Sequence, residues 1–286
     1  MNNKKDLIYL HIAVLLFGFA GVIGKWVSLP AIIVTLGRVL FSSIFLLVLL
    51  LIKKQRIALD NKKDYLYMAI AGIIMAVHWT CFMQSIQVSS VAIGTITFAS
   101  FPLFVTFLEP LLFKEKLTIK NIILALMMLM GVMILVPFNN LSGNITLGII
   151  YGMISSFTYA LLSLMNRYLT NSYQGTLICF YEQFIATIVL LPTLFIVSFT
   201  TTVNELLIIV VLGVLCTAIA HSLYVTSLTR VKVQTAGIIS GMESVYSIIL
   251  AMLILQTMPT IRELIGGLVI LSVTIYTTAT KRGCNE

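Results

Sequence analysis

Apolar residues run through this chain in long, nearly unbroken blocks, and the polar residues gather in the short gaps between them. Ten such blocks can be drawn, near 7–27, 31–52, 65–86, 91–113, 119–136, 146–169, 174–198, 205–229, 234–256 and 261–280. A helix needs roughly 20 apolar residues to cross the hydrocarbon core of a bilayer. The pattern therefore predicts an all-α membrane protein with ten transmembrane helices. The first block follows a Lys-Lys-Asp start. It is longer than the apolar core of a signal peptide and nine more blocks follow it, so it reads as a retained helix.

The cations give these helices a direction. Lys4 and Lys5 precede the first block, and Lys53, Lys54, Arg56, Lys62 and Lys63 fill the second gap. Lys114, Lys116 and Lys120 mark the fourth, Arg167 the sixth, Arg230 and Lys232 the eighth, and Lys281 and Arg282 follow the last block. The odd-numbered gaps hold only Lys25 and Arg262, and Arg38 lies inside a block. Cytoplasmic loops carry the excess of Lys and Arg. Both termini and the even-numbered loops are thus expected in the cytoplasm, as in a multi-pass protein of the cell membrane, plasma or inner. A wrong span count would have scrambled this alternation.

Composition agrees. Hydrophobic residues make up 59% of the chain and charged residues 10%, with a mean hydropathy of +1.07. Soluble domains carry roughly 25% charged residues. No loop is long enough to fold a water-facing domain. The net charge of +8 is the cytoplasmic bias of a membrane protein, drawn to anionic headgroups, and no nucleic-acid surface is expected. Cys81, Cys179, Cys216 and Cys284 include no Cys-x-x-Cys pair. Neither a disulfide framework nor a zinc site is expected from them. The sequons at Asn140 and Asn144 are short, common by chance and close to the membrane, so they carry little weight.

The stretch 137–145, Pro-Phe-Asn-Asn-Leu-Ser-Gly-Asn-Ile, is rich in turn residues and falls mid-chain. It divides the chain into a first five-helix repeat at 1–138, an external linker at 139–145, and a second repeat at 146–286 with a short cytoplasmic tail. Weak internal similarity crosses the division. Ala76-Val-His78 recurs as Ile219-Ala-His221, each followed by an aromatic (Trp79, Tyr224) and a serine (Ser85, Ser227). Leu117-Thr118-Ile119-Lys120 recurs as Pro259-Thr260-Ile261-Arg262, each before a glycine-bearing final block. Five is odd, so the second copy must run upside down. A 5+5 inverted-topology repeat is a transporter design, with the site near the bilayer midplane between the halves. A duplicated helical bundle that transports nothing is the alternative.

The segment Pro102-Leu-Phe-Val-Thr-Phe-Leu-Glu109-Pro-Leu-Leu-Phe-Lys-Glu115-Lys-Leu-Thr118 resembles the fourth-helix signature of the EamA-type drug/metabolite transporters. That signature is a Pro, an apolar stretch and a Glu closing the helix before a Leu-Thr or Leu-Ser start. Arg38, after the first external loop, is similar to the family's Arg in helix two. The resemblance covers both halves, 7–136 and 146–280. It implies ten helices in a 5+5 inverted repeat and export or exchange of small metabolites. The second half departs from the signature. Ser244 stands where the Pro would be, Thr257 where the closing Glu would be, and Glu243 adds a carboxylate. Family members carry very different solutes, so the substrate does not transfer with the fold.

Ionisable groups inside a membrane are costly, roughly 2.5–3.5 kcal/mol at a helix centre, and are functional by default. Glu243 sits mid-block with Ser240, Tyr246 and Ser247 on its helical face. It either binds a cationic group or a proton, or accepts hydrogen bonds from those hydroxyls. Arg38 and Glu182 occupy comparable places in the two halves. Arg38 either grips a substrate carboxylate bidentately or forms a buried ion pair, since a buried Arg needs a partner. His78 and His221 either couple protons to transport or bridge helices as neutral rings. With no carboxylate near them in the chain, they make a poor metal site. Trp79 and Tyr159 offer apolar walls with polar tips or pack the core. Ser155, Tyr159, Ser163 and Asn166 form a polar stripe facing protein or water. Glu109 and Glu115, beside Lys114 and Lys116, read as interfacial or gate pairs, and Gly18, Gly21 and Gly24 as points of close helix packing.

The sequence therefore predicts a secondary active transporter, exporter or exchanger, of a small polar metabolite such as an amino acid, working by alternating access. Arg38, His78, Trp79, Tyr159, Glu182, His221, Tyr224, Glu243 and Tyr246 are the expected binding residues. The partners are the solute, the lipid bilayer and, for the histidines or Glu243, protons. No cofactor and no metal is expected. No His-Glu-x-x-His, Gly-x-Ser-x-Gly or P-loop motif occurs, so an enzyme is not expected. A channel or receptor is the alternative class. Within transport, organic cations or nucleotide-type metabolites are the alternative solutes.

Overall fold

The computed structural model describes residues 3–113, 119–135, 143–231 and 233–282. Lys114, Glu115, Lys116, Thr118, Asn140, Lys232, Cys284 and most of the linker 139–145 lie outside the described residues. Among the described residues all regular structure is helical. The helices are α1 (Asn3–Gly24), α2 (Ala31–Ile52), α3 (Lys62–Val88), α4 (Val91–Phe98), α5 (Phe101–Phe113), α6 (Ile119–Leu135) and α7 (Asn144–Leu169). They continue as α8 (Gly175–Leu190), α9 (Thr193–Ile196), α10 (Val203–Gly213), α11 (Ala220–Ser227), α12 (Val233–Ser240), α13 (Met242–Leu250) and α14 (Ile261–Arg282).

Eight helical stretches are long and apolar enough to cross a membrane: Lys5–Gly24, Ala31–Ile52, Lys62–Val88, Val91–Leu112, Asn144–Leu169, Gly175–Ile196, Val203–Ser227 and Thr235–Leu255. They fall on eight of the predicted blocks. The other two blocks are helical as α6, of 17 residues, and α14, of 22. Helices suit this setting because every backbone polar group is satisfied within the element. Side chains such as Leu51, Phe195, Leu253 and Leu268 remain exposed around the outside. In water they would be a liability, and in lipid they are the expected surface.

Several predicted helices are interrupted, which the apolar pattern did not reveal. The fourth block breaks between α4 and α5 at Ala99 and Ser100, just before Pro102. The freed groups are recaptured locally: Ser100 Oγ donates to Thr97 O at 2.6 Å, and Ser156 Oγ to Phe98 O at 3.2 Å. Serine hydroxyls re-satisfy interrupted helices in this way. The ninth block breaks at Gly241, between α12 and α13. The first piece has eight residues in each case. A π-helical turn, Val214–Ile219, joins α10 to α11, and another, Ala251–Leu255, follows α13. Gln256, in the left-handed region at φ 54°, ends that helix.

The packing sets what faces the interior. α3 lies against α7 and α8, α2 against α8, and α1 against α11 and α13, while α6 pairs with α14. Glycines permit the closest approaches. A methyl on Gly72 of α3 would lie 2.6 Å from Ile185 Cβ and 2.9 Å from the Glu182 carbonyl oxygen on α8. A methyl on Gly18 of α1 would lie 2.9 Å from Tyr246 Cβ on α13. These approaches hold α1, α3, α8 and α13 around one polar core.

Candidate functional site

Arg38 is the centre of that core. It projects from α2 and is wholly buried. Its Nε donates to Thr217 Oγ1 at 3.1 Å, and its Cζ sits 3.9 Å from the centroid of the Trp79 ring. A desolvated guanidinium over an indole is stabilised by about 2 kcal/mol. Thr217 belongs to the π-turn after α10, and its hydroxyl donates to Leu212 O at 2.8 Å, leaving a lone pair for Arg38. π-turns recur at functional positions. Among the described residues Arg38 Nη1 and Nη2 have no hydrogen-bond partner, and no carboxylate forms an ion pair with Arg38. The reading of Arg38 as one half of a buried ion pair therefore finds no partner among the described residues.

Glu243, on α13, lies within electrostatic reach of Arg38. It too is buried, and makes no hydrogen bond among the described residues. The serine hydroxyls on its own helix are committed elsewhere. Ser244 Oγ donates to Thr95 O at 2.8 Å and Ser247 Oγ to Gly18 O at 3.2 Å. Tyr246 is half-buried and packs on α1 at Gly18. The reading of Glu243 as an acceptor for those hydroxyls is therefore not what the structure shows. Arg38 and Glu243 are thus both buried in this core and form no ion pair with one another.

Aromatic rings wall this space. Tyr159 on α7 lies 5.5 Å from Tyr224 on α11, 5.1 Å from Phe98 and 5.0 Å from Phe101, centroid to centroid. Phe17 on α1 lies 6.3 Å from Trp79 and 6.1 Å from Tyr224. Such edge-to-face and tilted contacts contribute about 0.5–1.5 kcal/mol each beyond burial. Tyr224 Oη meets Ser163 Oγ at 3.2 Å. The stripe Ser155, Tyr159, Ser163 and Asn166 is buried throughout, and both amide atoms of Asn166 are unpartnered.

The two histidines, similar in sequence, differ in setting. His78 Nδ1 lies 2.9 Å from Ser155 O and 3.0 Å from Ser155 Oγ, which ties α3 to α7. Its ring stacks among Trp79, Tyr159 and Phe98 at 4.8–5.5 Å. His221 Nε2 instead meets Glu182 Oε2 at 2.9 Å, with both side chains wholly buried. Glu182 is far from His221 in the chain, which hid this pairing from the sequence. Cys179, one turn before Glu182 on α8, completes a trio whose sulfur, carboxylate and imidazole donor atoms lie within 4.8 Å of one another. Beside it, Ser42 Oγ donates to Gln183 Oε1.

The EamA-like transporter family model matches residues 4–136 and 146–279. The chain belongs to the EamA-like transporter family. An uncharacterized transporter of Archaeoglobus fulgidus is similar, 26% identical over 192 residues that cover 67% of this chain and 68% of the relative. A crystal structure described only as that of a protein superposes with a TM-score of 0.74, covering 98% of this chain and 99% of its own. At 17% identity that likeness concerns the fold alone. This EamA protein is thus a multi-pass membrane transporter.

Within this transporter the two ends of the bundle differ. At the end carrying residues 53–61 and 170–174, Arg167 at the close of α7 pairs with Glu109 on α5 at 2.5 Å, and Arg230 pairs with Asp6 on α1 at 3.2 Å. Tyr173 adds a bond to Asp64 at 2.6 Å, and its own phenol is held above the usual tyrosine range by burial and that carboxylate. Arg167 is thus one partner of Glu109 among the described residues; Lys114 and Lys116 lie outside them. At the opposite end a cavity of about 340 Å³ opens between α4, α13 and α14, lined by Lys25, Ser90, Thr257 and Glu263 among others. Burial holds the Lys25 ammonium below the ordinary lysine range. Sequence reasoning missed Phe17, Phe98, Thr217 and Gln183. Each lies within an apolar run with no local signal, and only tertiary packing brings it to the core.

Proposed function

We propose that this protein is a secondary active transporter of a small zwitterionic metabolite, an amino acid or a similar compound, working by alternating access. The observation that carries the substrate class is a buried guanidinium and a buried carboxyl group that do not pair with one another. Among the described residues Arg38 Nη1 and Nη2 have no hydrogen-bond partner beside the Trp79 ring, and Glu243 forms no ion pair with Arg38. A guanidinium fork suits a carboxylate, and Glu243 suits an ammonium. Together they offset the desolvation of a zwitterion, which neither an organic cation nor a nucleotide would match. Ten spans form two inverted five-helix halves in this reading, with both termini cytoplasmic in the cell membrane. The eight-residue first pieces of the fourth and ninth blocks support the repeat. Interrupted helices at corresponding places of the two halves are where transporters of this design hold solute. The Arg167–Glu109 and Arg230–Asp6 pairs then close the cytoplasmic end, while the 340 Å³ cavity opens outward.

The test begins with thermal unfolding of purified protein against a metabolite library, since a ligand of the folded state raises its apparent stability. Amino acids should shift the transition, and their decarboxylated and deaminated analogues should not. Glu243→Gln should then abolish uptake of the responding solute into proteoliposomes while inserting normally. Equal shifts from amines lacking a carboxylate, or wild-type uptake by the variant, would remove the zwitterion reading.

A further inference from the structure

The core contains a second cluster that the zwitterion site does not use. Cys179 and Glu182 stand one turn apart on α8, and His221 faces them from α11, all wholly buried. We propose that Cys179, Glu182 and His221 bind a thiophilic divalent metal ion of the zinc class between these two helices.

Three observations lead there. The first is geometric: one sulfur, one carboxylate oxygen and one imidazole nitrogen already lie within 4.8 Å of one another. Little movement is needed for three of the four positions of a tetrahedral site, leaving the fourth for water. The second is the set of unmet bonds. Glu182 Oε1 and His221 Nδ1 are buried with no partner. Buried polar groups are rarely left so, and an ion is one of the recognised explanations. The ion would take the place of the proton between His221 Nε2 and Glu182 Oε2, which already lie 2.9 Å apart. The third is donor chemistry. Mixed sulfur, nitrogen and oxygen donors select zinc-like ions over magnesium or calcium, which take oxygen alone.

Charge balance makes the site workable inside a membrane. An unpaired charge there is expensive. Without metal the trio is neutral when Cys179 keeps its thiol proton and Glu182 and His221 share one more. With metal, a thiolate and a carboxylate balance the two positive charges, and the imidazole is neutral. Binding therefore exchanges one divalent ion for two protons with no change in net charge. The ion would clasp α8 to α11 one turn before Tyr224, a wall of the solute site. The proposal does not depend on the identity of the solute.

Cobalt(II) is the probe, added by equilibrium dialysis to the untagged full-length protein in detergent. The wild type should hold one ion per chain and show a thiolate-to-cobalt charge-transfer band in the near ultraviolet. Zinc should displace it, magnesium should not, and a weakly buffered solution should gain about two protons per ion. Cys179→Ser should lose the band, while Cys81→Ser keeps it. Failure of the wild type to bind cobalt, a band that survives Cys179→Ser, or binding without proton release would each overturn the proposal. The wild-type measurements decide it even if a variant fails to fold.

Discussion

On the proposed topology, replacing Glu109 by Gln should release the end of the bundle assigned to the cytoplasm. Arg167 and Glu109 meet at 2.5 Å, with side-chain exposures of 27% and 9%. An exposed pair contributes at most about 1 kcal/mol, and breaking a buried one costs about 3–5 kcal/mol. This pair lies between those limits, so about 2 kcal/mol is a reasonable value for its loss. That corresponds to about a thirtyfold change in the equilibrium between closed and open cytoplasmic ends. The pair exists only when α5 and α7 are together, so the whole loss acts on one state. Access can be read with a single cysteine at Ser163, one turn inward of Arg167 on α7, after replacing Cys81, Cys179, Cys216 and Cys284. In inside-out vesicles, a membrane-impermeant thiol reagent should modify this cysteine faster by about that factor in Glu109→Gln. Arg167→Gln should do the same, and the double variant should add little, because both remove one interaction. An unchanged labelling rate would show that the pair does not hold the end closed.

Arg38→Lys keeps the charge but loses the fork and the Thr217 bond, so solute affinity in equilibrium binding should fall at least about tenfold, or 1.4 kcal/mol; unaltered affinity would remove Arg38 from the site. Gly72→Ala should lower the thermal unfolding temperature of the purified protein, because the new methyl meets backbone at 2.9 Å as well as Ile185. Overpacking of this kind costs about 1–3 kcal/mol, and an unshifted transition would mean that α3 and α8 separate freely. Cysteines placed at Gln55 and Thr201 should be labelled from opposite faces of the cell membrane; labelling of both from one face would break the topology.

Much of the architecture is legible in the sequence because the bilayer imposes it. Block length gives helix length, and eight of the blocks reappear as helices long and apolar enough to cross a membrane among the described residues. The burial of Arg38, Glu243 and the Ser155 stripe follows from the same rule, since charged and hydroxylated residues at membrane depth turn toward protein. What the sequence hides is partnership. Glu182 and His221 are separated by two helices' worth of chain, and nothing local distinguishes Glu182 as a partner of His221 from a partner of Arg38. His78 and His221 share a motif, yet one meets a carbonyl and the other a carboxylate. Hydropathy also averages over breaks in the backbone. The interruptions at Ser100 and Gly241 and the π-turn that positions Thr217 leave each block uniformly apolar.

The contact between Arg38 and Trp79 has an optical consequence. The chain has two tryptophans, and the other, Trp26, is 51% exposed at the end of α1. A Trp26→Phe protein would therefore emit from the core alone. Its indole lies in a dry, aromatic setting with a positive charge 3.9 Å from the ring centre, and excited-state indole is sensitive to a charge at that range. A solute that engages the guanidinium would alter the field across the ring, and opening of the bundle would admit water beside it. The two events change intensity and emission colour differently. The protein thus carries its own fluorophore at the proposed solute site, where occupancy and hydration can both be followed without attaching a dye.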